Sequence, residues 1–110
     1  MTPARFRKLA LALDGVSEVP HMDRTAFRTK RKIFATLGTD RKVNLIVQPA
    51  DRREALLAAF PDAIASLGGW TRLGYLAIDL ARVEEGLLVE LLTDAWRDAQ
   101  PVAKARRKRV

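Results

Sequence analysis

Three short runs with strand-like alternation constrain the fold more than any other feature of this sequence. Residues 25–29, 33–37 and 43–47 each alternate their side chains between two faces, as strands in a sheet do. Turn-forming residues separate the runs, and connections this short join neighbouring strands in opposite directions. The sequence therefore predicts an antiparallel meander. Residues 17–23 are expected to add at most a short edge strand, because Pro20 cannot donate to a ladder.

Amphipathic helices are predicted on both sides of the meander. Thr2 and Pro3 form a typical helix start, with the threonine as N-cap, and Gly15 is a natural stop for this first helix. Residues 50–60 place apolar side chains on one stripe between two prolines, which predicts a second helix.

The last third of the chain predicts one more strand and a longer helix. Residues 75–80 are typical of a short strand, and residues 84–99 carry leucines on one face of a helix that ends before Pro101. Residues 63–74, AIASLGGWTRLG, are expected to form a loop with room for one helical turn.

This order of elements predicts a two-layer α+β domain. One open antiparallel sheet with helices packed on one face would bury every apolar stripe. A chain of 110 residues, 48% of them hydrophobic, suits a single domain, which we place at residues 1–103. Residues 104–110, KARRKRV, are too charged to pack and are predicted to form a basic flexible tail.

The formal net charge of +7 is distributed unevenly along the chain. Residues 1–53 are strongly basic, residues 54–103 carry a net negative charge, and residues 104–110 are basic again. Such asymmetry indicates either an anionic partner or a contact between the acidic and basic regions.

The strongest local signal is a group of cations at the two turns of the meander. A hairpin can lay its tip along a nucleic-acid groove with Lys and Arg on phosphates, and a basic tail would add non-specific contacts. The alternative is that charged tips only maintain solubility and protect the sheet edges. Nucleic-acid contacts, to DNA in particular, are predicted for Arg28, Lys30, Arg31, Lys32, Arg41, Lys42, Lys104, Arg106, Arg107, Lys108 and Arg109.

The tip of the first hairpin has an unusual composition. Lys30 and Arg31 stand where a tight type I′ turn would need Gly or Asn, so a wider turn or local strain is expected. Asn44, in mid-strand, is expected to be a hydrogen-bonded structural residue. Trp96 follows an apolar helix stripe and is expected at the core, whereas for Trp70, in a Gly-rich loop, packing and base stacking both remain open.

Several short motifs, taken in order, resemble the MmcQ/YjbR-like family. The first helix closes with LDGV at residues 13–16, and the pattern F-x-x-x-x-K-x-F-A begins at Phe27. VNLIVQP follows at residues 43–49, then GWTRL at residues 69–73 and AWR at residues 95–97. Together these motifs extend over nearly the whole predicted domain.

The resemblance implies a two-layer architecture that is described as a double wing and is shared with secretion chaperones. It also implies DNA binding, which has been suggested for the family largely from that shape, and it supplies no catalytic residues. Hairpins of the family often carry glycine at the tip, where this chain has Lys30 and Arg31.

The sequence offers little for catalysis or metal binding. Cysteine is absent and His21 is the only histidine, so thiolate chemistry is excluded and a zinc site is not expected. No nucleophile elbow, phosphate-binding Gly-rich loop or dinucleotide fingerprint occurs. We therefore expect neither enzymatic activity nor a cofactor.

The expected setting is the cytoplasm. No stretch approaches the roughly 20 apolar residues that span a bilayer, and the short apolar run after the N-terminal cations lacks a cleavage site. We expect no membrane partner and favour a monomer. The predicted function is DNA binding through phosphates; the alternative is a protein-interaction domain in which the acidic last helix or an exposed sheet face meets a partner.

Overall fold

Residues 1–101 are described by the computed structural model, and they form four helices and six strands. All six strands belong to one sheet, and every hydrogen-bonded pair in it is antiparallel. The predicted two-layer α+β fold is confirmed. In chain order the elements are α1 (Pro3–Leu11), β1 (Ser17–His21), β2 (Arg24–Arg28), β3 (Ile33–Leu37), β4 (Lys42–Ile46), α2 (Ala50–Ala59), β5 (Ile64–Ser66), α3 (Gly69–Arg72), β6 (Tyr75–Asp79) and α4 (Glu85–Asp98).

The sheet has the strand order β1-β2-β3-β4-β6-β5, so the predicted meander forms one half of it. Strand β1 is a full edge strand, and Pro20 is tolerated there because an edge strand needs ladder hydrogen bonds on one side only. Residues 63–74 were expected to form a loop, and this expectation is wrong in part. The short helix α3 is the helical turn for which room was expected, whereas the other edge strand, β5, was not expected, because three residues are too short to produce a clear period.

Helices α1 and α4 cover one face of the sheet. Phe6 of α1 meets Phe27 of β2 edge to face, with 5.5 Å between the ring centroids, and both rings are fully buried. Leu88 and Leu91 bring α4 onto β3 and β4, while Trp96 packs at the core edge as expected. Burying side chains of this size contributes about 1.5–3 kcal/mol each, so each of these contacts stabilises the fold substantially. No helix within residues 1–101 combines the length and apolar composition of a membrane span.

A β-bulge lies at the start of β3. Phe27 pairs with Ala35 and the next residue, Arg28, pairs with Ile33, so Phe34 has no partner of its own across the ladder. Phe34 is fully buried, as Ala35 is, whereas Ile33 is only half-buried. The extra residue thus adds a large aromatic ring to the core and turns Ile33 toward the opposite face of the sheet.

The turn between β2 and β3 is a wide one, as expected from its composition. It has four residues, and none of them has a positive φ. The buried hydroxyl of Thr29 organises it: Oγ1 accepts hydrogen bonds from the backbone N–H groups of Arg31 and Lys32 at 3.2 and 3.3 Å. The same hydroxyl donates to the carbonyl of Ala99 at 2.6 Å, which ties the turn to the end of α4.

Thr29→Val should therefore destabilise the protein by about 1–3 kcal/mol, because it removes the hydroxyl and leaves buried backbone groups without partners. Thr29→Ser keeps the hydroxyl and serves as the control, with a smaller loss expected. Urea unfolding monitored by circular dichroism measures both. A larger loss for Thr29→Ser than for Thr29→Val would mean that packing of the methyl group, and not the hydrogen bonds, holds the turn.

Candidate functional site

The sheet face turned away from α1 and α4, here called the open face, carries a cavity of about 360 Å³. Its floor is formed by side chains of β3, β4 and β6. Thr36 of β3 and Asn44 of β4 point to the same face because they are paired across the two strands, and in each strand the neighbouring residues point into the core. The floor residues are Ile33, Thr36, Asn44 and Tyr75. The bulge in β3 is what brings Ile33 to this face.

Two connections form the walls of the open-face cavity. The turn between β1 and β2 supplies one wall, and the segment between β5 and β6 supplies the other with Leu67 and Trp70. Met22, at the tip of the first wall, is 94% exposed, and Trp70 is 63% exposed. Large apolar side chains exposed on both sides of one cavity are typical of a ligand-binding or interaction surface.

Asn44 occupies the centre of the floor. Its carboxamide has no hydrogen-bond partner among residues 1–101. Since every buried side-chain nitrogen and oxygen in that range does have a partner, the carboxamide of Asn44 is not buried but accessible from the cavity that it lines. The sequence predicted a structural hydrogen bond here, and the structure places the amide on the open face instead. A free carboxamide can donate and accept hydrogen bonds at the same time.

The other polar groups of the floor are already engaged. The hydroxyl of Tyr75 donates to the carbonyl of Ile33 at 3.3 Å, and burial raises the pKa of Tyr75, which keeps that proton in place. The hydroxyl of Thr36 accepts a hydrogen bond from Nε of Arg24 at 2.8 Å. Asn44 is therefore the floor side chain whose hydrogen-bond donor and acceptor are both free.

Arg24 joins three strands at the cavity floor, and sequence reasoning missed it. Its guanidinium reaches from β2 to Thr36 of β3 and to the carbonyl of Lys42 at 2.8 Å, with the carboxylate of Asp40 at 3.8 Å. Gly38 leaves room for the side chain of Arg24, since a Cβ at position 38 would overlap the guanidinium. The available signal was alternation: Arg24, like Arg28, falls on the open-face side of β2.

The predicted turn cations lie at both ends of β3 and do not form one cluster. The turn after β2 carries Lys30 and Lys32, and Lys32 directly precedes Ile33 of the cavity floor. The turn after β3 leads through Arg41 to Lys42, whose carbonyl binds Arg24. The open-face cavity therefore lies between the two cationic turns. Lys104, Arg106, Arg107, Lys108 and Arg109 lie outside the described residues.

Two of the predicted cations, Arg28 and Arg31, also donate hydrogen bonds to backbone carbonyl groups. Arg28 donates to the carbonyls of its own turn, with Nε 3.0 Å from the oxygen of Thr29. Arg31 extends to the end of α4, where Nη1 lies 2.7 Å from the carbonyl oxygen of Asp98. These contacts use carbonyl groups and leave the net positive charge uncompensated.

Ion pairing sorts the cations of residues 1–101 into two groups. Six arginines lie within 4.0 Å of a carboxylate, and the pair between Arg5 and Glu85, at 3.0 Å, raises the pKa of the arginine and lowers that of the glutamate. The paired arginines are Arg5, Arg7, Arg24, Arg52, Arg82 and Arg97. No carboxylate of the described chain lies within that distance of Lys8, Arg28, Lys30, Arg31, Lys32, Arg41, Lys42, Arg53 or Arg72. The second group contains all six cations predicted at the turns.

Three or more acidic, histidine or cysteine side chains do not gather anywhere in residues 1–101 in a way that could hold a metal ion. His21 and Asp23 both line the cavity at its first wall. The cavity and its surroundings therefore offer cations, an amide and apolar surface for binding, together with the His21 imidazole and the Asp23 carboxylate of the first wall.

The architecture and the open-face cavity together define a class: a small α+β protein with one helix-covered sheet face and one accessible face. The YjbR family profile matches residues 11–98, and the chain belongs to the YjbR family, as its motif order suggested.

A solved structure has the same fold. The crystal structure of the Deinococcus radiodurans protein DR2400, which carries a DUF419 domain, superposes with a TM-score of 0.75 at 23% identity. The match covers 86% of this chain and 75% of that one, and at this identity it establishes the fold alone. No curated protein gives a significant match.

The backbone conformation of Arg41 provides a test of how the turn between β3 and β4 is built. Arg41 has a φ of 65°, in the region that favours glycine. Arg41→Gly should be more stable than Arg41→Ala by roughly 1 kcal/mol, because both lose the charge but only glycine adopts this conformation without steric cost. Urea midpoints of the two variants measure the difference. Identical midpoints would mean that the turn relaxes to another conformation when the arginine is replaced.

Proposed function

We propose that this YjbR-family protein binds nucleic acid, DNA in particular, through phosphate contacts made by its two cationic turns. The observation that carries the proposal is the sorting of charges: all six predicted turn cations lack a carboxylate partner, while six other arginines of residues 1–101 have one. Uncompensated cations at a surface attract polyanions and release their counterions on contact.

Contacts of this kind carry little sequence information. Lys and Arg on phosphates position a protein on nucleic acid, whereas base edges specify sequence. A dissociation constant of ~10⁻⁴ to 10⁻⁶ M at physiological salt is therefore expected for the turns on duplex DNA. The proposed setting is the cytoplasm, and the proposed role is binding without catalysis.

The alternative, a protein partner on the acidic last helix, has less support. Three carboxylates of α4 are engaged by the protein's own arginines: Glu85 by Arg5, and both Glu90 and Asp94 by Arg52. A helix whose charges are compensated internally offers a weaker electrostatic attraction to a basic partner. The turns, by contrast, keep their charge for an external anion.

The variant Lys30→Gln/Lys32→Gln/Lys42→Gln tests the proposal, because none of these three side chains holds the fold together by a hydrogen bond within residues 1–101. Duplex DNA affinity should fall at low salt. The slope of log K against log salt should become shallower by roughly 2 to 3, at ~0.9 per lost phosphate contact. Fluorescence anisotropy with a labelled duplex across a salt series measures both quantities.

The matched control is Arg7→Gln/Arg82→Gln/Arg97→Gln, which removes the same charge from residues paired with carboxylates. Exposed pairs of this type contribute little to stability, so the control should fold and should bind nearly as well as the wild type. Equal weakening by both variants would indicate that only net charge matters. A wild-type protein that does not bind duplex DNA at low salt would refute the proposal.

A further inference from the structure

We infer that the open-face cavity binds a neutral, planar heteroaromatic ring of the nucleobase type, supplied either by an unpaired base of a single strand or by a free nucleoside. For the single-stranded source, the inference rests on the proposed nucleic-acid function. It adds a base-binding site to a protein whose turn cations, by themselves, contact only phosphates.

The size of the cavity limits what can enter it. At about 360 Å³ it lies near the lower end of the range for small-molecule sites, which accommodates a compact ring system. A base within a duplex is paired and stacked and cannot enter such a cavity without being extruded. The site therefore discriminates unpaired from paired bases by shape.

The chemistry of the floor matches a neutral ring. Thr36 and Tyr75 each form one hydrogen bond already, with Arg24 and Ile33, whereas both the donor and the acceptor of the Asn44 carboxamide are free to contact a ligand. A carboxamide presents a donor beside an acceptor, and asparagine pairs in this bidentate way with the N6 and N7 edge of adenine. Arg24 also lines the floor, but its guanidinium is held by hydroxyl and carbonyl oxygens and lies near a carboxylate, which disfavours its use for an anion.

The walls supply the apolar contacts that a ring requires. Trp70 offers an exposed indole face, and Met22 offers a polarisable thioether on the opposite wall. Bases stack on such aromatic side chains without regard to sequence, and sulfur packs favourably against rings. Binding would bury apolar surface that both side chains otherwise expose to water.

The position of the cavity between the two cationic turns favours a ring that is joined to phosphates. Lys32 precedes the floor residue Ile33 at one end of β3, and Lys42 lies next to Arg24 at the other. The strand is five residues long, so the ends lie ~15–20 Å apart. A single strand can cross this face with a base in the cavity and its flanking phosphates on the turns.

The test compares three probes on the full-length protein: a labelled single-stranded deoxyadenylate oligonucleotide, a duplex of the same length, and adenosine. Trp70→Ala and Asn44→Leu should each weaken single-strand binding about tenfold or more, while duplex affinity stays unchanged. Leu73→Ala is the matched control, since Leu73 is as exposed as Trp70 but does not line the cavity. Trp70 is a surface residue, so its variant keeps the test valid if Asn44→Leu fails to fold.

NMR of ¹⁵N-labelled protein separates the two sources. Shifts of the Trp70 indole and Asn44 carboxamide signals with adenosine assign the site to the ring itself. If adenosine shifts these signals while neither the single strand nor the duplex binds, the cavity binds a free nucleoside. In that case the proposal of phosphate contacts is refuted and the inference about the cavity stands. If both polymers bind and Trp70→Ala and Asn44→Leu behave like Leu73→Ala, the inference is overturned and the phosphate proposal stands. No response to any of the three probes overturns both.

Discussion

One extra residue in β3 determines what each face of the sheet can do. Because Phe34 has no partner across the ladder, it turns into the core beneath the helices, and Ile33 turns to the open face. A regular strand would have sent these two side chains the other way. The core would then lose a fully buried aromatic ring, and the cavity would have a phenyl group in place of a smaller aliphatic floor. Stability of one layer and accessibility of the other thus depend on the same backbone irregularity.

Electrostatics divides the molecule in a second way. Acidic residues of α4 neutralise arginines that belong to α1 and α2, and this holds the helical layer together with exposed pairs. Within residues 1–101, the six cations of the two turns that flank β3 have no carboxylate within 4.0 Å. The net charge alone does not show where positive charge remains uncompensated. The ion pairs show that all six cations at the two ends of β3 belong to the group without a carboxylate within 4.0 Å.

Much of this architecture could be predicted from the sequence, for physical reasons that particular residues illustrate. Long periodic segments such as α4 and the alternation in β4 signal their structure directly. The three residues of β5 carry no usable period and were missed. The sequence placed the cations at the two turns of the meander, whereas Arg24 and Asn44 became interpretable only once neighbouring strands had set them on one surface. Register across strands, which a one-dimensional pattern does not contain, decides which side chains meet.

The two ends of the strand order have a consequence for solubility. The unpaired backbone N–H and C=O groups along the border strands of an open sheet can pair with strands of other molecules, which leads to aggregation. Here β1 contains Pro20, which lacks an N–H, and β5 at the other border is only three residues long. Neither border offers a long template for intermolecular pairing. The same two border strands that limit intermolecular pairing therefore flank a sheet face on which a tryptophan is exposed.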